Sequence, residues 1–129
     1  MPAHFEIHAT DVERAKQFYA TVLGWTFDPM PGGEDIDYHL ISGTDFGLGN
    51  TLTGGLMRRI GDAPPNGAPI RGCTLTFEVP DVDAVYATAL AHGGAEALPP
   101  TDYPGIGRCA YCEDGEGNVF GIITSAAEG

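Results

Sequence analysis

His4, Glu6 and His8 stand two residues apart near the start of the chain. An imidazole beside a carboxylate is a pair that can hold a charge state suited to acid–base work at neutral pH. The run His4-Phe5-Glu6-Ile7-His8 alternates polar with apolar residues, so a strand here puts the three ionisable groups on one face and Phe5 and Ile7 on the other. Thr74-Leu75-Thr76-Phe77-Glu78-Val79 repeats the alternation and offers Thr74, Thr76 and Glu78 at the corresponding places. Three groups spaced by two along a strand span about 13 Å at ~3.3 Å per residue, so they do not converge on one ion. A displaced metal site would have to recruit a neighbour such as His39 or Glu78. The reading adopted is a partly solvated polar face lining a pocket, with His4, Glu6, His8 and Glu78 as the candidates for catalysis.

Other chemistry-bearing spacings carry less. Cys109-Ala110-Tyr111-Cys112 has the spacing of a redox pair, but that chemistry needs a turn opening a helix, and this stretch reads as a strand. Residues three apart on a strand point to opposite faces, which keeps the sulfurs apart. The glycine-rich pieces Gly43 to Gly49 and Gly115 to Gly121 lack the lysine and hydroxyl residue of a phosphate loop. His92, near the end of a helix, suits the negative pole there and reads as structural.

These groups must be positioned by short elements. After the first alternating run, Asp11 offers an N-cap, Val12, Ala15, Tyr19 and Val22 recur at helical spacing, and Gly24 supplies a stop. The pattern returns with Asp81 as cap, Val82, Val85 and Ala89 as the stripe and Gly93-Gly94 as the stop. Asp81, Val82, Val85 and Gly94 each follow their counterpart by 70 positions. A strand, cap, stripe and stop in register at one offset indicate a duplicated module. Room remains in each half for three more strands: around Trp25, Tyr38 to Ser42 and Leu52 to Met57, then Ala95 to Leu98, Gly107 to Cys112 and Val119 to Thr124. Turn signals separate them at residues 31–33, Asp45 to Gly47, Pro99-Pro100 and Asp114 to Asn118. Residues 59–72, with Ala63-Pro64-Pro65-Asn66-Gly67 and no apolar periodicity, read as a surface linker between a first module of about 1–58 and a second of 73–125.

Composition bounds the partners. Eighteen acidic against six basic residues give a net charge of −12, which repels phosphate backbones and anionic lipid, so neither nucleic acid nor membrane is an expected partner. No apolar run approaches the ~20 residues of a bilayer span, and the first residues lack a signal peptide's pattern, so the expectation is cytoplasmic. Three cysteines fit reduced thiols better than a disulfide framework.

The residues Phe5 to Ile7, Asp11-Val12-Glu13-Arg14-Ala15 leading to Phe18-Tyr19 and Leu23-Gly24-Trp25, Gly54-Gly55-Leu56-Met57, and Pro104 to Arg108 running into Asp114 to Gly121 together resemble the vicinal oxygen chelate superfamily. That superfamily includes glyoxalase I, bleomycin-resistance proteins and extradiol dioxygenases. The resemblance covers nearly the whole chain. It implies an α+β fold of two tandem βαβββ modules forming an open cup-shaped mixed sheet, a homodimer, and a small organic ligand in the cup. In catalytic members it also implies a divalent metal on four side chains, whose positions correspond here to His4, Gly55, Thr74 and Gly121. Only His4 is a good ligand, because glycine has no side chain and a threonine hydroxyl is a poor donor to zinc, nickel or iron. No cofactor is therefore expected with assurance. Glycines at these positions would leave space for a ligand, with Thr74, Thr76, Gly55, Gly121, His39 and Tyr111 as pocket residues and Trp25, Tyr38, Tyr103 and Phe120 as further aromatic candidates. The leading expectation is a metal-independent protein that binds, and as an enzyme would transform, a small organic molecule. The rivals are a metal-dependent lyase, isomerase or dioxygenase with ligands rearranged among His4, Glu6, His8, His39 and Glu78, and a drug-sequestering protein.

Overall fold

The structure is a computed structural model that describes residues 4–44, 53–70 and 73–126. The turn expected at Asp45 to Gly47 lies outside the described residues. The first half runs β1 (His4–Ala9), α1 (Val12–Leu23), β2 (Thr26–Pro29), a 3-10 turn at Glu34–Ile36, β3 (His39–Ser42) and β4 (Thr53–Arg58). The second runs β5 (Thr76–Glu78), α2 (Val82–Ala91), β6 (Ala95–Tyr103), β7 (Gly107–Glu113) and β8 (Val119–Ser125). Each half builds one four-stranded sheet, in the orders β1-β4-β3-β2 and β5-β8-β7-β6. The first and last strands of each half pair in parallel and the other pairs are antiparallel. The fold is α+β, with two similar βαβββ modules and sheets that do not close into a barrel.

The repeat rests on shared local chemistry. Asp11 accepts the backbone N–H of Arg14 at 3.1 Å and Asp81 that of Ala84 at 3.2 Å, so each helix begins on the same side-chain cap. Gly24 then takes a left-handed φ of 72°, closing α1 with its N–H on Ala20 O. The second stop differs by a residue: Gly93 takes the left-handed φ of 99°, and α2 is 10 residues long against 12 in α1.

Phe5 and Ile7 are buried, as their alternation requires, and one core serves both modules. The ring of Phe5 lies 5.8 Å from Phe77, Trp25 lies 5.2 Å from Phe77, and Phe18 lies 6.1 Å from Phe120 across the seam. Trp25 and Phe120, expected as pocket aromatics, are thus core residues, 1% and 3% exposed. A polar latch completes the seam. Buried Asp114, in the turn before β8, accepts the Tyr19 hydroxyl at 2.6 Å together with the N–H groups of Glu116 and Asn118. Arg14 pairs with Glu116 at 3.1 Å, and Arg59 and Asn118 both donate to His8 O at 2.9 Å.

Pro99-Pro100 is a correction. The pair does not make a turn but lies inside β6, which continues to Tyr103. β6 is the outer strand of its sheet, and its pairing with β7 shifts register between Glu96 and Leu98 and again between Leu98 and Thr101. An edge strand tolerates residues with no N–H to donate, and the irregular pairing absorbs them.

Candidate functional site

The polar face of β1 is organised by a tyrosine from the loop before β3. His4 Nε2 lies 2.9 Å from the Tyr38 hydroxyl, that hydroxyl donates to Glu6 Oε2 at 2.9 Å, and His4 Nδ1 lies 2.8 Å from Thr53 Oγ1 on β4. His8 Nε2 stands 3.9 Å from the other oxygen of Glu6. Because the phenol proton goes to Glu6, a neutral His4 must carry its proton on Nε2 to donate to Tyr38, and Thr53 then donates to Nδ1. Four side chains therefore form one chain of hydrogen bonds running from Thr53 to Glu6. Burial first, then the hydrogen bond to Glu6 and its negative charge, push the Tyr38 hydroxyl up to about 12. At neutral pH Tyr38 is a proton donor, and the acceptor end of the chain is the Glu6 carboxylate beside His8. His8 pairs with Glu6 and, among the described residues, not with the exposed Glu78.

Sheet register decides what faces the two glycines. Gly55 pairs with Glu6, and Gly121 pairs with Thr76, so Glu6 and Thr76 sit directly opposite them while His4 and Thr74 fall two places earlier. The space over both glycines is filled. A Cβ on Gly55 would meet the ring and hydroxyl of Tyr38, and one on Gly121 would meet Thr76 Oγ1 and the Tyr111 ring, the latter at 2.8 Å. Gly54 next door makes room for the Phe5 ring on the opposite face. The emptier cup expected from glycines at these positions is thus corrected: tyrosines occupy it. The same observation tests the four-ligand metal centre, which does not fit these residues, since two of its positions have no donor and their space belongs to aromatic rings. Among the described residues, no three His, Cys, Asp or Glu side chains stand close enough to hold a metal ion.

His39 is a second correction. It pairs with Leu56 and shares the buried face of β3 with Ile41, where its Nε2 lies 2.8 Å from Asp37 Oδ1. The period of two along β3 turns residue 39 to the core side and Leu40 outward, so His39 does not join the polar face of β1.

The second module carries the larger described hollow. A cavity of about 570 Å³ opens over the face of β6, β7 and β8, floored by Leu98, Tyr111, Glu113 and Val119 with Thr74 at its side. Its roof is Gly67, Ala68 and Ile70, so the segment expected to be a plain surface linker folds back over the sheet. Glu113 holds it there: both carboxylate oxygens lie 3.1 Å from the Gly67 nitrogen. An adjoining hollow of about 410 Å³ shares Thr74, Glu113 and Val119 and reaches Arg59 and Cys73. Between the modules runs a crevice of only about 80 Å³, lined by Glu6, Leu75, Phe77 and Asn118 among others. Glu113 and the roof were missed in the sequence, although Tyr111 and Glu113 are two apart on a strand and so share a face.

The thiols of Cys109 and Cys112 are both buried, and their strand partners Ile123 and Phe120 lie on opposite faces of β8. Cys73 is free and exposed.

With the geometry in place, the comparisons with known proteins agree with it. The family model described as bleomycin resistance protein-like N-terminal matches residues 3–36. The protein named "Putative glyoxylase CFP32" from Mycobacterium tuberculosis is 32% identical over 127 residues, covering 94% of this chain and 44% of that protein. The chain therefore spans less than half the length of the curated relative it matches. A glyoxalase/bleomycin resistance protein from Streptomyces sp. CB03234 superposes with a TM-score of 0.65 at 28% identity, over 96% of this chain and all of that one (100%). The fosfomycin resistance protein FosX from Listeria monocytogenes shares the fold, with a TM-score of 0.68 at 14% identity over 99% of this chain and 93% of that one. No helix among the described residues is long and apolar enough to cross a membrane. The duplicated βαβββ fold is thus that of the vicinal oxygen chelate superfamily, and the sequence is similar to proteins named as glyoxylase and glyoxalase/bleomycin resistance protein.

Proposed function

We propose that the chain binds a small organic molecule without the superfamily's four-ligand metal centre, and that the molecule sits in the cavity between the linker and the second sheet. The observation that carries this reading is the filling of both glycine positions by Tyr38 and Tyr111, which replaces two metal-ligand places with aromatic rings. A cavity of about 570 Å³ with a mostly apolar lining and a few polar groups matches the size and character of small-molecule sites. The chain of Thr53, His4, Tyr38 and Glu6 is the second polar feature of the protein. Under this proposal Glu6 is the group able to accept a proton and Tyr38 the group able to supply one through its hydrogen bond.

The test joins elemental analysis to ligand screening. Protein purified without chelator is expected to carry substoichiometric metal, and thermal shifts produced by small organic compounds are expected to be the same with and without EDTA. Stoichiometric metal that disappears in the His4→Ala and His8→Ala variants, with ligand shifts abolished by EDTA, would replace the proposal with the metal-dependent alternative.

A further inference from the structure

Resting on that reading of the cavity, we infer that its ligand is an organic cation: an amine carried on a small apolar or aromatic body. The floor of the cavity holds Glu113, a carboxylate only 7% exposed. Among the described residues its two oxygens share a single donor, the N–H of Gly67. A carboxylate has about four acceptor sites, so one N–H leaves most of its capacity unused. No ion pair to Glu113 exists among the described residues. A buried charge without a counter-charge is costly, and a cation entering the cavity supplies what is missing.

The remaining walls define the rest of the ligand. Ile70, Leu98 and Val119 offer apolar surface, and Tyr111 offers an aromatic ring, a surface that suits an apolar body and draws a cation over its face. The described lining contains no Lys or Arg, and Glu96 adds a second acid. Among the described residues the nearest basic lining is Arg59 in the adjoining hollow, whose Nη2 already donates to His8 O and Glu116 O. A net charge of −12 favours the approach of cations and opposes that of anions.

Three probes of similar size separate the possibilities: phenethylamine, a cation at neutral pH, 2-phenylethanol, which is neutral, and phenylacetate, an anion. Each is titrated into the full chain at neutral pH and followed by amide chemical shifts. The amine is expected to bind about tenfold more tightly than the alcohol, as a charge-assisted hydrogen bond implies, with phenylacetate weakest and the Gly67 amide among the signals that move. Glu113→Gln keeps an oxygen to accept from Gly67 but removes the charge. It is expected to bring the amine down to the alcohol's affinity and leave the alcohol unchanged. Equal binding of amine and alcohol, or an amine preference that survives in Glu113→Gln, would overturn the cation assignment while leaving the cavity as the site. If none of the three moves the signals of Gly67, Tyr111 or Val119, the cavity reading falls with it. The ranking of probes on the unmodified chain decides the matter even where the variant fails to fold.

Discussion

The ring of Tyr38 rests on Gly55, occupying the volume that any larger residue at 55 would claim. Tyr38 lies in the loop just before β3 and Gly55 on the neighbouring β4, and the fit is what brings the Tyr38 hydroxyl between His4 and Glu6. Gly55→Ala is therefore expected to displace the ring, break the chain of hydrogen bonds and destabilise the fold by about 1–3 kcal/mol, the usual cost of overpacking. In a Tyr38→Ala background the same change should cost much less, because the clash is gone. Urea unfolding of the two single variants and the double variant measures the coupling. Strictly additive costs would show that the contact is not made.

Stability at high pH should report the same tyrosine. Below about pH 10 the phenol is protonated in the folded and unfolded chain alike, so its stabilisation is fully present. Between pH 10 and the folded value of about 12 the unfolded chain releases a proton that the folded chain keeps, and stability falls as pH rises. Burial and the nearby Glu96 push the Cys112 thiol up to about 11 and add a loss that begins near pH 9. Tyr38→Phe should flatten the decline between about pH 10 and 12 and remove one late-titrating phenolate from the ultraviolet absorbance. An unchanged slope and titration would contradict the placement of Tyr38.

The latch between modules depends on Tyr19 and Asp114, both buried. Burial and the carboxylate of Asp114 hold the Tyr19 hydroxyl well above its ordinary range, so it remains the donor in the pair. Tyr19→Phe leaves Asp114 with its other donors and should cost about 1–3 kcal/mol. Asp114→Ala should cost more, since it strands Tyr19 and the N–H groups of Glu116 and Asn118 together. Denaturant midpoints that rank the two variants the other way would refute this division of labour.

Thiol chemistry offers a check on burial. Cys73 is exposed, while Cys109 and Cys112 are buried and Cys112 is held protonated. Iodoacetamide near pH 8 should modify Cys73 rapidly in the folded chain and the other two only after denaturation. Mass spectrometry of Cys73→Ser, which should show almost no rapid labelling, gives the control.

Much of the fold was readable along the chain because its causes are local. Asp11 and Asp81 cap bonds that reach three residues ahead, Gly24 closes a single turn, and the alternation through His4 to His8 sorts faces without reference to any other strand. These interactions depend on neighbours within about one helical turn, so residue order states them directly. The duplication followed from the same signals recurring at one offset.

The site depended on relations between distant residues. Placing Glu6 opposite Gly55 is a matter of register between strands whose partners lie 49 positions apart, and the connection between them determines it. The seating of Tyr38 on Gly55, the turning of His39 toward the core, the bulged course of β6 through Pro99 and Pro100, and the folding of the linker onto Glu113 are likewise products of packing in three dimensions. Residue types announced that polar groups and glycines were present. Which of them meet, and which hollow they line, follows from the sheets' pairing and the space the larger side chains compete to fill.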